Sequence, residues 1–257
     1  MGKRIAIVTG ASGGLGREFV RQLVSNENLD EIYVLGRNKE KLNSLVTKFG
    51  NKINPYIIDL SNRNQIKELA EYLKNQNNEI KILINNAGFA KFCSYKGIST
   101  DESLNMIDLN VCGVVALTLY CIPFMNKGAH IINIASQAGF QPVPYMNIYA
   151  ATKSFVKNYS RALNIELKEK GISVTAVCPG WVKTPFFDRS EINSPVAPRH
   201  FWFMTTPDVV VQKALQDAYK GKDISICGLY VNICSILTKI LPEKAIIKLW
   251  LLQQRIK

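Results

Sequence analysis

Seven short runs of apolar and β-branched residues recur along the chain and constrain its fold more than any other feature. They cover residues 4–10, 31–36, 53–59, 81–88, 130–136, 172–180 and 224–231. Their apolar character is continuous instead of alternating, as expected for strands buried on both faces of a parallel sheet. Segments with helical period separate them, and the first carries Phe19, Val20 and Leu23. The alternation predicts an α/β protein with an open, doubly wound sheet of about seven parallel strands.

Nothing in the sequence divides this pattern into parts. The 257 residues contain no internal repeat, low-complexity tract or linker, so we expect a single domain over residues 1–257. One stretch, from about residue 180 to 207, has no clear period. A loop of that length in a compact domain is typical of a lid or a binding segment.

Residues 229–257 form an amphipathic C-terminal extension, in which Pro242 suits the first turn of a final helix. Lys244, Lys248 and Arg255 accompany apolar residues there, among them Trp250. A helix of this kind can lie on an anionic membrane, cover a substrate cleft or pack on another subunit. The sequence leaves these three alternatives open.

Composition limits the partners and the compartment. The net charge is +12, from 32 Lys and Arg against 20 Asp and Glu, but the basic residues are scattered and form no long run. We therefore expect no nucleic-acid partner, and attraction to anionic cofactors or membrane surfaces explains the charge. Six cysteines without a C-x-x-C pair, and an N-terminal apolar stretch too short for a signal peptide, predict a cytoplasmic protein. We expect no apolar run long enough to span a bilayer.

A glycine-rich segment, "TGASGGLGREF", follows the first strand directly and leads into an amphipathic helix. Its glycines permit a tight turn and let backbone N–H groups approach a pyrophosphate at the helix N-terminus. The spacing T-G-x-x-x-G-x-G differs from the common G-x-G-x-x-G fingerprint. A glycine-rich turn without a ligand is the alternative.

The end of the second strand bears on the choice of cofactor. About 20 positions after Gly16, where an acidic residue would bind the ribose 2′-OH of NAD, the sequence has Gly36 followed by Arg37. A guanidinium favours a 2′-phosphate, so NADP(H) is predicted over NAD(H). Alternatively, Arg37 only caps a strand end beside a solvated charge cluster.

Three polar side chains indicate acid-base chemistry. Tyr149 and Lys153 lie one helical turn apart, and a nearby ammonium favours the phenolate and lowers the pKa of a tyrosine. Ser136 ends the fifth strand, at the edge where doubly wound sheets bind ligands, although a serine there is often only a turn residue or a cap. The only histidines, His130 and His200, complete neither a zinc cluster nor a Ser-His-Asp triad, so we expect no metal.

Taken in order, these motifs resemble the short-chain dehydrogenase/reductase family, whose members have a Rossmann-like fold. The resemblance covers nearly the whole chain, through "TGASGGLG", "IIDLS" with Asp59, "NNAG" at 85–88, "DLNVCG" with Asn110, Ser136, "YAATK" and "PGWVKT" at 179–184. The spacings of 13 residues from Ser136 to Tyr149 and of 4 from Tyr149 to Lys153 are those of the family.

The resemblance implies an oxidoreductase that moves hydride between NADP(H) and a ketone or secondary alcohol. Tyr149 would give or take the proton, Lys153 would assist it and hold the nicotinamide ribose, and Ser136 would bind the reacting oxygen. Asn110 would kink its helix and hold a water of a proton relay. A homodimer or homotetramer is implied as well.

The resemblance also implies a set of cofactor-binding residues. They are Gly10, Ser12, Gly14, Leu15, Gly16, Arg37, Asp59, Leu60, Asn86, Ala87, Gly88, Tyr149, Lys153, Val182 and Thr184. Asp59 would bind the adenine amino group, and Val182 with Thr184 would hold the carboxamide. The alternatives are a strand-end turn residue for Asp59 and a helix cap for Thr184.

The loop after "PGWVKT" carries aromatic and flexible apolar residues. They are Phe186, Phe187, Phe201, Trp202, Phe203 and Met204. Since pockets lined in this way favour apolar ligands, we expect a hydrophobic substrate. A lid that packs these side chains onto the body of the protein is the structural alternative. The functional alternative is an NADP(H)-binding regulator or scaffold without useful turnover.

Overall fold

Seven parallel strands form one sheet, in the order β3-β2-β1-β4-β5-β6-β7. The strands are β1 Arg4–Thr9, β2 Glu31–Gly36, β3 Ile53–Ile57, β4 Glu79–Asn85, β5 His130–Ile134, β6 Ser173–Val177 and β7 Ile224–Ser225. The computed structural model describes residues 2–26, 28–190, 198 and 200–255. The inner strands are buried on both faces, as the continuous apolar runs require. The predicted doubly wound sheet of seven strands is confirmed.

Helices cover both faces of the sheet. They are α1 Gly14–Leu23, α2 Lys39–Phe49, α3 Arg63–Asn75, α4 Thr100–Ile107, α5 Gly113–Cys121, α6 Asn147–Glu166, α7 Phe186–Ser190, α8 Pro207–Tyr219, α9 Leu229–Ile240 and α10 Glu243–Gln254. On one face, α1, α2 and α8 bury residues such as Phe19 and Val211 against the strands. On the other, α3, α5 and α6 bury Leu69, Leu117 and Leu163. Each of the two hydrophobic cores therefore lies between one face of the sheet and the helices that cover it.

The crossovers bring the carboxyl ends of the strands to one edge. The helix α1 shows why the local sequence folds this way, because Gly16, Phe19, Val20 and Leu23 recur at helical spacing and are all buried. With every strand parallel, the residues after β1, β2, β3, β4 and β5 meet at the same edge of the sheet. The predicted motifs follow these strands, so the fold gathers them there.

The last strand is shorter than the sequence predicts. The apolar run 224–231 was expected to be one strand, but β7 contains only Ile224 and Ser225. Gly228 has a φ of +94°, a left-handed conformation that suits glycine, and α9 begins at Leu229. A short apolar run fits a strand and a buried helix equally well. The strand prediction was therefore wrong for residues 226–231.

The predicted loop 180–207 contains regular structure. It includes α7, and Val182 forms an isolated parallel bridge with Thr205. Lys183 N donates to Thr205 O and Thr205 N donates to Trp181 O, both at 2.9 Å. The two ends of the segment are therefore tied together. Residues 191–197 and 199 of this loop lie outside the described residues.

The C-terminal extension forms two helices, and the second begins directly after Pro242, as expected for the final helix. Leu241 and Pro242 join α9 to α10, and Gln253 Nε2 donates to Tyr230 Oη at 3.3 Å, so the two helices run antiparallel. We call this pair, residues 229–254, the C-terminal hairpin. Residues 256 and 257 of the predicted extension lie outside the described residues. The described strands share one sheet, while the single domain over 1–257 stays a prediction.

One helical stretch, Thr100–Phe124, is long and apolar enough to cross a membrane by length and composition alone. No such stretch was expected from the sequence. It comprises α4, a π-helical turn at Asp108–Cys112, α5 and a final 3₁₀ turn. Leu117 and Cys121 pack in the core, and Asn110 is fully buried. The stretch is therefore part of the helical layer on the sheet.

Replacing Phe19 by Ala should lower the free energy of unfolding by about 3–5 kcal/mol, because it leaves a cavity where a fully buried ring was packed. Urea denaturation followed by circular dichroism measures the change. Phe203→Ala is the matched control, since that ring is 70% exposed, and it should change stability by less than about 1 kcal/mol. Equal losses from both substitutions would contradict the assignment of Phe19 to the core.

Candidate active site

The glycine-rich segment forms a tight turn between β1 and α1. Gly10 and Gly14 have φ values of +59° and +35°, which favour glycine. A Cβ on Gly16 would overlap the carbonyl oxygen of Gly10, so only glycine lets the helix start so close to the strand. Gly13 precedes α1 and has no side chain to cap it. The N–H groups of the first helical turn are therefore available to an anion.

Asn86 and Thr9 lock this turn to the segment after β4. Asn86 Nδ2 donates to Thr9 O at 2.9 Å and to Gly10 O at 3.2 Å. In return, Thr9 Oγ1 accepts from the backbone N–H groups of Asn86 (2.8 Å) and Ala87 (2.9 Å). Sequence reasoning missed Thr9, although its place directly before the first glycine was a signal that could have identified it.

The predicted adenosine end lies at the sheet edge beyond β2 and β3. Arg37 Nη1 is 3.8 Å from Asp59 Oδ2, and the Arg37 side chain is 55% exposed. Asp59 Oδ1 also accepts from Ser61 N (2.9 Å) and Ser61 Oγ (2.7 Å), so this carboxylate closes a turn as well. Leu60 directs its side chain into the core, which leaves only its backbone for a cofactor.

A cavity of about 550 Å³ starts at the glycine turn and crosses the carboxyl edge of the sheet. The predicted site residues on its wall are Gly10, Gly14, Leu15, Asn86, Ala87, Gly88, Ser136, Tyr149, Lys153, Val182 and Thr184. Five predicted cofactor residues are not on this wall: Ser12, Gly16, Arg37, Asp59 and Leu60. Asn110 lies behind the wall, fully buried. The structure thus brings most of the predicted residues into one cavity.

Tyr149 and Lys153 face the cavity from one side of α6. Lys153 Nζ lies 5.7 Å from the centre of the Tyr149 ring and donates to Ile134 O at 2.7 Å. Burial raises the pKa of Tyr149 to about 12, against a hydrogen bond with Ser136 that lowers it. Burial lowers the pKa of Lys153 to about 8. The expected depression of the tyrosine pKa is therefore absent, because desolvation disfavours the charged form of each group.

Ser136 has two roles in this structure. It directly precedes the 3₁₀ turn Gln137–Phe140, and its Oγ accepts from Ala138 N at 3.1 Å. This is the cap that the sequence left open as an alternative. Its side chain also hydrogen-bonds to Tyr149. Since Oγ accepts from the backbone, its own proton stays available for donation to another oxygen.

Asn110 lies in the π-helical turn between α4 and α5 and joins three segments. Its Oδ1 accepts from Phe89 N at 3.1 Å, and its Nδ2 donates to Phe89 O at 3.0 Å and to Thr152 Oγ1 at 3.2 Å. A Cβ on Gly88 would come within 2.8 Å of Asn110 Oδ1 and 3.5 Å of Lys153 Nζ. Glycine at 88 therefore lets Asn110 and Lys153 approach the same backbone.

Beyond Tyr149 the cavity wall is apolar and largely aromatic. Its residues there include Phe92, Val143, Met146, Trp181, Phe186 and Phe187. The Phe186 ring lies 6.0 Å from the Tyr149 ring. Phe201 packs edge-on against Trp181 (4.9 Å) and Phe187 (5.2 Å) behind this wall. Sequence reasoning missed Phe92, Val143 and Met146, because no local pattern marks them.

The aromatic set predicted for the loop divides into three groups. Phe186 and Phe187 line the cavity, and Phe201 supports them. Trp202 and Phe203 are exposed to solvent. Met204 is half-buried away from the cavity wall. The prediction of an aromatic pocket and the alternative of self-packing therefore both describe part of the loop.

The C-terminal hairpin covers the far end of the cavity. Tyr230, Cys234, Leu237 and Thr238 of α9 line it, together with Ile246, Leu249, Trp250 and Gln253 of α10. The Trp250 ring stacks 6.4 Å from that of Trp181. Of the three roles left open for the extension, the structure thus shows the hairpin over the cleft.

The described residues contain no group of three or more His, Cys, Asp or Glu side chains that could hold a metal ion. His130 begins β5, at the edge of the sheet away from the cavity, where its Nδ1 lies 2.7 Å from Ser173 Oγ. The polar side chains on the cavity wall include Ser136, Tyr149 and Lys153.

Comparison with known proteins places the chain among curated relatives of similar length. It is 37% identical over 183 residues to the NADP-dependent 3-hydroxy acid dehydrogenase YdfG of Salmonella typhi. The matched residues cover 69% of this chain and 72% of that protein. It is 26% identical over 248 residues to 17-beta-hydroxysteroid dehydrogenase 13 of Homo sapiens, covering 94% of this chain and 80% of that protein.

Solved structures resemble it over most of their length. A short-chain dehydrogenase from Sphingobium yanoikuyae in complex with NADPH has a TM-score of 0.78 at 27% identity and covers 89% of both chains. A serine dehydrogenase complexed with NADP+ has a TM-score of 0.74 at 28% identity, covering 87% of this chain and 94% of that one. A family model described as short chain dehydrogenase matches residues 4–194. The chain belongs to the short-chain dehydrogenase/reductase family.

Proposed function

We propose that the protein is an NADP(H)-dependent oxidoreductase that transfers hydride between nicotinamide and an apolar ketone or secondary alcohol. The observation that carries this proposal is one continuous cavity along the carboxyl edge of the sheet. It joins an anion-binding glycine turn at α1 to the Ser136, Tyr149 and Lys153 side chains, and it continues into an apolar wall. A dinucleotide needs the first part, carbonyl chemistry the second, and an apolar substrate the third.

The residues at the glycine turn fit a dinucleotide. Side chains at Gly10, Gly14 or Gly16 would meet Asn86, Thr184 or backbone at 3.0 Å or closer, so the turn keeps its open surface only with glycine. Bound NADPH would supply the hydride, which no side chain can provide. Thr184 lies against this turn, since a Cβ on Gly14 would come within 3.0 Å of its side chain, and Thr184 and Val182 would hold the nicotinamide end.

Tyr149 is the proton donor in this proposal. As the carbonyl carbon accepts hydride, the Tyr149 hydroxyl gives its proton to the carbonyl oxygen, which yields the alcohol. In the reverse direction, the phenolate takes the proton from the alcohol. Ser136 donates a hydrogen bond to the same oxygen and stabilises the negative charge that develops there.

Lys153 and Asn110 support the tyrosine. The Lys153 ammonium uses one N–H for Ile134 O, which leaves its other donors for the cofactor ribose and for the phenolate. Asn110 is a positioning residue, because its three hydrogen bonds hold Thr152, which precedes Lys153, and Phe89, which follows Gly88. A water held behind Lys153 would complete the proton relay.

The preference for NADP(H) rests on Arg37. Its exposed guanidinium stands at the end of β2, and a carboxylate that would repel a 2′-phosphate is absent at Gly36. Two structural neighbours bind NADPH or NADP+, at 27% and 28% identity. A neighbour from Burkholderia phymatum in complex with NAD is 22% identical and bears on the fold alone.

The apolar wall supports a hydrophobic substrate. Trp181, Phe186 and Phe187 face the region next to the Tyr149 hydroxyl, and the hairpin adds Leu249 and Ile246. Few polar groups interrupt this surface, so a ligand binds there mainly by burying apolar area. The carbonyl oxygen would be the part recognised by hydrogen bonds.

A regulator or scaffold that binds NADP(H) without useful turnover is the second candidate. The pKa values favour it in one respect, because burial holds Tyr149 protonated and makes it a weak acid. The hydrogen-bonded placement of Ser136, Asn110 and Lys153 favours the enzyme, since a sensor needs no proton donor. Turnover by wild type that is lost in Tyr149→Phe would favour the enzyme, and absence of turnover in wild type would favour the regulator or scaffold.

Cytoplasmic location and a homodimer or homotetramer stay predictions. Exposed apolar residues on α5 and α6, such as Leu119, Phe155 and Ile165, offer a face for a second copy. The mass of the chain in solution, measured by light scattering, tests the oligomer. A monomeric mass at all concentrations would exclude it.

Tyr149→Phe should lower kcat for ketone reduction by about 10²–10⁴-fold, because it removes the proton donor. NADPH affinity should stay within about threefold, since the ring remains in place. Steady-state kinetics and a fluorescence titration measure the two effects. Tyr159→Phe is the matched control on the same helix and should keep normal activity. Normal turnover by Tyr149→Phe would exclude its catalytic role.

Arg37→Ala should weaken NADPH binding by tenfold or more, a difference near 1.4 kcal/mol, through loss of a charge-assisted bond to the 2′-phosphate. NADH binding should be unchanged and serves as the internal control. Parallel calorimetric titrations with both cofactors measure the effect. If both affinities fall alike, or neither falls, Arg37 does not select the cofactor.

Lys153 should make stability depend on pH in one direction. Its pKa is about 8 in the folded protein against an ordinary value of 10.5. Between these values the unfolded chain binds more protons, so the free energy of unfolding rises with pH there. From pH 7.5 to 10, the free energy of unfolding of wild type should rise by roughly 1–3 kcal/mol more than that of Lys153→Met, as measured by urea unfolding.

The same substitution at exposed Lys170 is the control for loss of a lysine. If the difference between wild type and Lys153→Met stays flat, or falls as pH rises, then burial does not depress the pKa of Lys153.

A further inference from the structure

An apolar stripe on the outer side of α9 is exposed to solvent in the described part of the chain. Leu229, Ile233, Ile236 and Ile240 follow one another at spacings of three or four residues, so they share one side of the helix. Between 47% and 77% of each residue is exposed. Scattered apolar residues are common on protein surfaces, but a continuous stripe indicates a partner.

Two exposed aromatic residues extend this stripe at one end of the hairpin. The Phe203 ring stacks on that of Tyr230 at 4.9 Å and is 70% exposed. Trp202 lies next to it in sequence and is 52% exposed. His200 exchanges two backbone hydrogen bonds of 3.2 Å with the Gln254 side chain. These contacts hold the aromatic pair against both helices of the hairpin.

The hairpin that carries the apolar stripe is basic. Residues 229–255 contain Lys239, Lys244, Lys248 and Arg255 but one carboxylate, Glu243. Lys244 and Lys248 lie one turn apart on the same side of α10, and Arg255 directly follows the end of this helix. Such a surface complements an anionic one. Two copies facing each other through it would bring like charges together, which disfavours a homodimer at this position.

The cavity comes to the surface at the same place. Leu237 of α9 and Leu249 of α10 line the cavity and are also 40% and 53% exposed. Leu237 lies next to the outer stripe around the helix, one position after Ile236. The rim between the helices is therefore apolar on both sides, and it connects the outer stripe with the wall that leads to Tyr149.

We propose that the outer face of the C-terminal hairpin, with Trp202 and Phe203, docks on an anionic phospholipid bilayer. A lipophilic carbonyl compound dissolved in that bilayer then reaches Tyr149 through the gap between Leu237 and Leu249. Docking needs both features described above, since apolar contact and basic charge act together at a membrane surface. The second statement rests on the proposed function, whereas the docking does not.

Vesicle flotation with the full chain tests the docking. Wild type should float with phosphatidylcholine vesicles that contain about 30% phosphatidylglycerol, and much less with phosphatidylcholine alone. The double variant Ile233→Gln, Ile236→Gln should bind at least tenfold more weakly, because both residues lie on the stripe. The double variant Lys244→Gln, Lys248→Gln should bind these vesicles about 30-fold more weakly, because it removes two positive charges that each contribute about 1 kcal/mol at an anionic surface.

Matched controls separate the surface from general effects. Ile57→Gln removes an equally exposed isoleucine at the far edge of the sheet, and Lys168→Gln with Lys170→Gln removes two lysines elsewhere. Both should bind vesicles like wild type. Absence of flotation by wild type, or equal losses in the controls, would overturn the docking. If the stripe variant changes the mass in light scattering instead, the stripe contacts a second copy and the proposal is wrong.

Turnover tests the route of the substrate. A long-chain methyl ketone in the same vesicles and a short, water-soluble methyl ketone are the two probes, each with NADPH. The variant Ile233→Gln, Ile236→Gln should slow only the vesicle-borne probe, by tenfold or more, since neither residue lines the cavity. Equal rates with wild type would overturn the route. Flotation without turnover of either probe would instead refute the proposed function and leave the docking intact.

Discussion

The site depends on the need of buried polar groups for partners, and Asn110 shows how this need shapes the fold. A buried amide left unpaired is costly, and Asn110 satisfies its donors and its acceptor with Phe89 and Thr152. The helix around it widens into a π-helical turn, a feature that often marks functional sites. One side chain thereby joins the segment after β4 to α6, the helix that carries Tyr149 and Lys153.

A second buried network continues this connection through the sheet. Asn85 Nδ2 donates to Asn133 Oδ1 (2.8 Å) and to Thr118 Oγ1 (2.9 Å), and Asn133 Nδ2 donates to Ser160 Oγ (2.9 Å). These bonds tie β4, β5, α5 and α6 together within the core. Such a network specifies one arrangement of its elements, because any shift leaves several groups unpaired. Tyr149 and Ser136 therefore approach the cavity from supports that are fixed relative to each other.

The sequence predicted those features that depend on residues close together in the chain. Continuous apolar runs gave the parallel sheet, the glycines gave the turn before α1, and helical spacing placed Tyr149 beside Lys153. The run 224–231 failed as a strand because Gly228 divides it, and apolarity alone does not distinguish a strand from a helix. The hairpin over the cavity and the wall residue Phe92 depend on contacts between distant segments, which no window of the sequence contains. The pKa of Tyr149 likewise reflects how deeply α6 is buried.

The bridge between Val182 and Thr205 closes the segment between these two residues into a loop with a fixed base. Because backbone hydrogen bonds close the segment at its base, the entropy of closing the intervening chain changes only slowly with its length. Replacements or insertions beyond the base need not disturb Val182 and Thr184, which stay beside the glycine turn. A change in the length or sequence of the intervening chain can thus leave the end of the cavity at the glycine turn in place.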